Sequence, residues 1–181
     1  MAGTVAVEKI AGAAAERGDD LGKVTEIAGR VVANVRSMGV ALSACTVPHV
    51  GKPSFDLDET EIEIGIGIHG EPGRHRIPMA TADEITGMLV DAVAEDLRLA
   101  GGERVLLFVN GMGGTPQSEL YVVYRQARRL LEARGVAVTR SLVGNYVTSL
   151  EMQGASVTVL RLDDELTALW DAPVHTAALR W

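Results

Sequence analysis

One cysteine and seven aromatic residues (two Trp, three Tyr, two Phe) are all that this chain of 181 residues contains of either kind. Cys45 has no partner for an intrachain disulfide, and a lone thiol offers no spacing for a zinc site. Within "VALSACTV" it reads as a small buried apolar residue. With aromatics at 4% and hydrophobic residues at 47%, the core must be built from Val, Leu, Ile and Ala, and a stacking platform for single-stranded nucleic acid is not expected. Basic residues are outnumbered, 17 Lys and Arg against 24 Asp and Glu, and the net charge of -7 has the wrong sign for neutralising phosphates. DNA and RNA are therefore not expected partners. The longest apolar runs, such as "VLLFV", fall far short of the roughly 20 residues that span a bilayer. The composition reads as a cytoplasmic protein with no membrane contact.

What is present is a chain long enough for one domain that buries about 70% of its unfolded surface. The spacing predicts helices over 3–17 and 20–36, divided by "RGDD", where Gly18 ends the first and Asp19 or Asp20 caps the second. A buried strand is predicted from Met38 to Val47, then a turn-rich connection, then strand residues from Thr60. A capping box in Thr81 and Glu84 opens a helix that Gly101 and Gly102 end. "RVLLFVN" (Arg104 to Asn110), a glycine-rich turn, a helix from about Pro116 to Arg134 and "GVAVTRSLV" form a β-α-β unit, expected to have parallel strands and a right-handed crossover. "GASVTVLRL" is the last strand and "DDELTALWDAP" a short closing helix. The fold class is α/β, a single domain with a mixed β-sheet covered by helices.

The stretch "EIEIGIGIHGEPG" (Glu61 to Gly73) matches the glycine spacing of a dinucleotide fingerprint through Gly65, Gly67 and Gly70. That motif requires a helix to begin inside it, and Glu71, Pro72, Gly73 and Pro78 do not open one. A strand fits better. Ile62, Ile64, Ile66 and Ile68 alternate with Glu61, Glu63, Gly65, Gly67 and His69, which gives one apolar and one open face with His69 on the open one. Glycines in a strand imply a bulge or a close approach by backbone or ligand. At this level His69 is a surface histidine, a general base, a metal ligand or a nucleophile. His49 and His75 are too loosely patterned to complete a metal set with it, and His175 reads as a solvated residue.

The second glycine turn, "VNGMGGTPQSEL", precedes a helix, with Thr115 as the expected N-cap and Pro116 in the first turn. No G-K-[ST] ends it, so it reads as a structural turn and not as a Walker A loop. Asp163 and Asp164 read as a helix cap complementing the dipole, and no G-x-S-x-G elbow is present.

In order along the chain, "SACTVPHVGKPSF" (Ser43 to Phe55), "EIGIGIHGEPG", "VNGMGGTPQSELY", "SLVGNYVTSLEMQGASVTVLRLDDEL" and "LWDAPVHTAALRW" resemble the substrate-binding subunit of dihydroxyacetone kinases nearly from end to end. The resemblance implies that His69 attacks the carbonyl carbon of a short ketose and holds it as a hemiaminal, with Gly67 and Gly70 lining the substrate. It also implies a homodimer and a separate nucleotide-binding subunit that brings magnesium with ATP or with a phosphorylated ADP, so that no cofactor is bound by this chain. Family members carry a further N-terminal domain with a "GGGSGHEP"-type loop and the acidic residue taken as general base. Neither segment occurs here, so the 181 residues correspond to the C-terminal domain. The competing expectation is a non-catalytic paralogue that senses ligand or acts as a co-activator.

Overall fold

The protein is described from a computed structural model covering residues 1–69 and 72–181. The alanine-rich segment Gly3–Glu16 forms α1, stopped by Gly18 in the left-handed region at φ +95°. Asp20 then caps Leu21–Asn34 (α2) by accepting from the Lys23 N–H. Val35–Ala41 (β1) follows with no intervening turn. This strand begins and ends earlier than the predicted Met38 to Val47. Val35 and Arg36 are claimed by pairing with Leu160 and Val159, while the N–H groups of Leu42 and Ser43 both turn to the carbonyl of Gln153.

Two short strands come next, Glu61–Ile64 (β2) and His75–Pro78 (β3). The second was not expected from sequence, since its charged residues and terminal proline carry no strand alternation. It survives as an edge strand, where Pro is tolerated. Ala82–Leu97 (α3) opens on the anticipated capping box: Thr81 Oγ1 accepts from the Glu84 N–H and the Glu84 carboxylate accepts from the Thr81 N–H. It closes before the two glycines, because Arg98 itself adopts φ +52°.

Arg104–Gly111 (β4), Gln117–Ala133 (α4) and Ala137–Gly144 (β5) form the expected unit, with β4 and β5 parallel. Thr115 is not the helix cap; Pro116 holds that position, and the Thr115 hydroxyl is engaged with Gly154. Gly154–Leu162 (β6) and Asp164–Asp171 (α5) complete the chain, and Asp163 caps α5 through the Leu166 N–H as anticipated.

The six strands form one mixed sheet in the order β3-β2-β1-β6-β4-β5, in which only β4 and β5 are parallel. Alternation sorts the side chains. Val105, Leu107 and Val109 of β4 and Ala155, Val157 and Val159 of β6 join the α3 and α4 residues Leu89, Val93, Leu120 and Leu131 on one face. Leu106, Leu160 and Leu162 point to the other, against Ile10 of α1, Ile27 and Val31 of α2, and Leu169 and Trp170 of α5. Each large aliphatic side chain so buried contributes about 1.5–3 kcal/mol.

The second helical layer is also tied at its rim. Arg30 of α2 reaches both Asp163 and Glu165, Arg17 reaches Glu165, and Arg140 clasps Asp171. Hydrogen bonds from Arg30 and Arg17 hold the Glu165 carboxyl below the usual range, and those from Arg140 do the same for Asp171. Because folding lowers these pKa values, the stabilisation is complete above the unfolded carboxyl value of about 4 and disappears as the pH falls further. Arg30→Met is expected to melt a few degrees below the unsubstituted protein at pH 7. Thermal melts in acid should show that gap closing below about pH 4.

Candidate functional site

Three loops meet at the end of the sheet marked by Ala41, Gly111, Gly144 and Gly154, residues 42–60, 112–116 and 145–153, and the segment that leaves β2 opposite Gly39 joins them through Ile66. Their backbones lie too close for side chains at several points. A Cβ on Gly113, which has φ +119°, would stand 1.9 Å from the Leu150 carbonyl oxygen, and one on Gly114 would stand 2.3 Å from that of Glu151. The glycine turn after β4 is therefore a packing device, as its lack of a phosphate-loop lysine suggested. Asn110, fully buried at the end of β4, accepts from the N–H groups of Tyr146 and Val147 and donates to the Val147 carbonyl. Asn145 accepts from Gly113 N–H, and Glu151 accepts from Thr46 N–H at 2.6 Å. The backbone N–H groups of Glu151 itself and of Thr46 keep the Glu151 carboxyl below its ordinary pKa.

Beneath these loops lies a small third core of Ala41, Cys45, Ile66, Met112 and Met152. Cys45 is buried, as expected, with its Sγ 3.4 Å from the hydroxyls of both Ser54 and Ser149. Ile66 anchors the segment that carries His69. The strand containing it stops earlier than the alternation predicts: β2 ends at Ile64, and Gly65 turns the chain at φ +86°. The close approach that the glycines implied comes from the chain itself, because a Cβ on Gly65 would meet Arg74 Cγ at 2.7 Å.

From Gly65 the chain crosses over β1 at Gly39. A side chain there would lie 2.8 Å from both the Ile66 carbonyl oxygen and Met112 Cε. Gly67 is buried and His69 is exposed on a turn. Gly70, the other expected substrate-lining glycine, lies outside the described residues. The chain returns through Gly73 and Arg74, whose N–H groups bond to the Glu63 carboxylate and the Ile64 carbonyl.

His69 is thus presented from a loop held by a sheet and not from a strand face. A correction accompanies this: Glu63, assigned by alternation to the open face, is buried. Gly39 and Glu63 are the residues that sequence reasoning missed. Gly39 sits in an ordinary-looking apolar strand, and its need for glycine arises from a segment 27 positions away. Of the other histidines, His75 lies exposed on β3, while His49 and His175 are exposed elsewhere. Among the described residues no group of three His, Cys, Asp or Glu side chains is arranged to hold a metal ion, and no helix is long and apolar enough to cross a membrane.

The family model that matches is the Dak1 domain, over residues 1–178. The dihydroxyacetone-binding subunit DhaK of the PEP-dependent dihydroxyacetone kinase of Escherichia coli is 43% identical, aligned over 100% of this chain and 58% of its own. The corresponding subunit of PTS-dependent dihydroxyacetone kinase 1 from Listeria innocua is 48% identical over 98% of this chain and 54% of that protein. Among solved structures, the dihydroxyacetone kinase operon co-activator Dha-DhaQ superposes with a TM-score of 0.90 at 34% identity, covering 96% of this chain and 54% of that one. The chain therefore spans little more than half the length of these relatives.

Gly39→Ala tests the crossing directly. The added methyl has to displace the Ile66 carbonyl or Met112, and urea denaturation is expected to show a loss of about 1–3 kcal/mol, typical of overpacking. Gly12→Ala, on a face of α1 with nothing within 4 Å, is the control. There the same change should be stabilising, by about 0.5–1 kcal/mol.

Proposed function

The chain belongs to the Dak1 family, and from that premise we propose that it is the ketone-holding part of a kinase for dihydroxyacetone or a similar short hydroxy-ketone, with His69 as the residue that binds the ketone covalently. The observation that carries the reading is the exposure of His69 on a loop whose two limbs are fixed to the sheet. A nucleophilic imidazole must be neutral and reachable by substrate. Its lone pair adds to the ketone carbon, the carbonyl π electrons move to oxygen, and that oxygen gains a proton as the imidazole loses its N–H proton. The product is a hemiaminal with no net change in proton count. Glycerol has no carbonyl to attack and is rejected on that ground.

The hemiaminal fixes the terminal hydroxyl for phosphoryl transfer, a reaction dominated by alignment and charge neutralisation. A separate nucleotide-binding subunit, carrying magnesium with ATP or phosphorylated ADP, supplies the phosphoryl group. The names of the Escherichia coli and Listeria innocua relatives favour the phosphotransferase-linked donor. The general base for the accepting hydroxyl comes from the part of the family's subunit that these 181 residues do not cover, so in this reading His69 holds the ketone and a group outside this segment takes the proton. A cytoplasmic homodimer is part of the same proposal.

A second reading, a co-activator that retains the fold without catalysis, is supported by the TM-score of 0.90 to Dha-DhaQ. Kinase activity in the presence of the remainder of the family's subunit and a nucleotide subunit separates the two: product formation supports the kinase, and persistent inactivity of an assembled complex supports the co-activator.

The binding step is tested by carbon-13 NMR with carbonyl-labelled dihydroxyacetone. A tetrahedral carbon signal distinct from the free hydrate is expected with this chain and absent with a His69→Ala protein shown to be folded by circular dichroism. The same signal in both proteins would remove His69 from the role.

A further inference from the structure

We infer that Glu63 is the positioning residue for His69, acting as a buried carboxylate latch that fastens the returning limb of the histidine loop to the sheet. The role assigned to His69 rests on the kinase reading above; the latch rests on geometry alone. His69 lies midway between Gly65 and Gly73, the two glycines at the neck of its loop. The outgoing limb is fixed by backbone, through Gly65 N–H to the Gly39 carbonyl at 2.7 Å. Among the described residues, the incoming limb has the backbone bond from Arg74 N–H to the Ile64 carbonyl, also at 2.7 Å, and beyond it the Glu63 side chain. Glu63 Oε1 accepts from Gly73 N–H at 2.6 Å, and Oε2 accepts from Arg76 Nε at 3.3 Å.

Three features mark the contact as built. Glu63 is 7% exposed, so its carboxylate requires the partners it has. Arg76 is its direct cross-strand neighbour in the β2–β3 ladder and neutralises it from the sheet side, which leaves the other oxygen for the loop. Gly73 has to be glycine for the carboxylate to reach its N–H, since a Cβ there would stand 2.6 Å from Glu63 Cγ and 2.7 Å from the Ile64 carbonyl oxygen. A carboxylate accepting a backbone N–H makes a short, charge-assisted hydrogen bond, stiffer than a neutral pair. With both limbs fixed, the height and direction of the turn bearing His69 are set from below. A displacement of about 1 Å in a reacting group can cost on the order of 100-fold in rate.

The test uses the full 181-residue chain with histidine ring carbons labelled, read by two-dimensional NMR without ligand and then with labelled dihydroxyacetone. Glu63→Ala is expected to shift or broaden the His69 ring signal while those of His49 and His175 stay in place, and to weaken adduct formation by about tenfold or more. Glu63→Gln keeps an oxygen for the Gly73 N–H and should restore the ring signal and most of the adduct. If Glu63→Ala does not fold, Gly73→Ala opens the latch from the loop side and should shift or broaden the His69 signal in the same way. An unchanged His69 signal in a folded Glu63→Ala or Gly73→Ala protein overturns the latch, and so does equal impairment by Glu63→Ala and Glu63→Gln. Should the unsubstituted chain form no adduct, the covalent role of His69 fails, and the latch is judged on the ring signals alone.

Discussion

The Thr115 hydroxyl donates to the carbonyl of Gly154 and accepts from the N–H of the same residue, each at 2.8 Å. That peptide unit also takes the Met112 N–H on its carbonyl, and its α-carbon lies where a Cβ would be 2.3 Å from the Val40 carbonyl oxygen. At one glycine, therefore, the end of β1, the start of β6 and the turn after β4 are joined. The carbonyl of neighbouring Gln153 adds the loop after β1 through Leu42 and Ser43. The small core of Cys45, Met112 and Met152 exists because these segments meet here, and Ile66 needs that core to seat the histidine loop. Buried hydroxyls and amides used in this way must be fully paired, which ties the arrangement to a narrow set of residues.

Local rules carried much of the fold. The α2 and α3 caps, the left-handed Gly18 and the Asp163 cap all depend on residues a few positions apart, and the parallel β4–α4–β5 unit follows from the order of two apolar strands and one intervening helix, so each could be read from spacing. The errors share a different cause. Thr115 has every local qualification for an N-cap, yet a backbone 39 residues away claims its hydroxyl. Arg98 ends α3 although two glycines wait beyond it. The alternation of "EIEIGIGIH" suggests a strand through His69, but alternation records which side chains are buried and not whether the sheet continues. Ile66 is buried as the period predicts, in a core that lies off the strand.

The candidate site divides along the same line. A glycine-cleared segment presenting His69 was visible in the residues, and its chemistry came from the family resemblance. Glu63 and Gly39 were invisible because their significance is relational: a glutamate in a strand reads as solvent-facing until the chain folds back over it, and a glycine in a strand reads as a weak point until another backbone crosses there. The burial of Glu63 reverses its meaning, from a solubilising charge to a fixed anchor.

The two rims of the sheet also differ in what they can accept. On one side β3 is four residues long and ends in Pro78, which has no N–H to offer. On the other, β5 runs for eight residues, about 26 Å of strand at roughly 3.3 Å per residue. Among the described strands β5 pairs on one side only, with β4. Arg140, near its middle, is drawn toward Asp171 of α5. An incoming extended chain would find a longer edge along β5 than the stub along β3, though one broken at Thr139, where the register shifts and Arg140 takes the carbonyl, and at Val143, whose carbonyl accepts from Gln117. Growth of this sheet, whether wanted in an assembly or unwanted in aggregation, has a direction built into it.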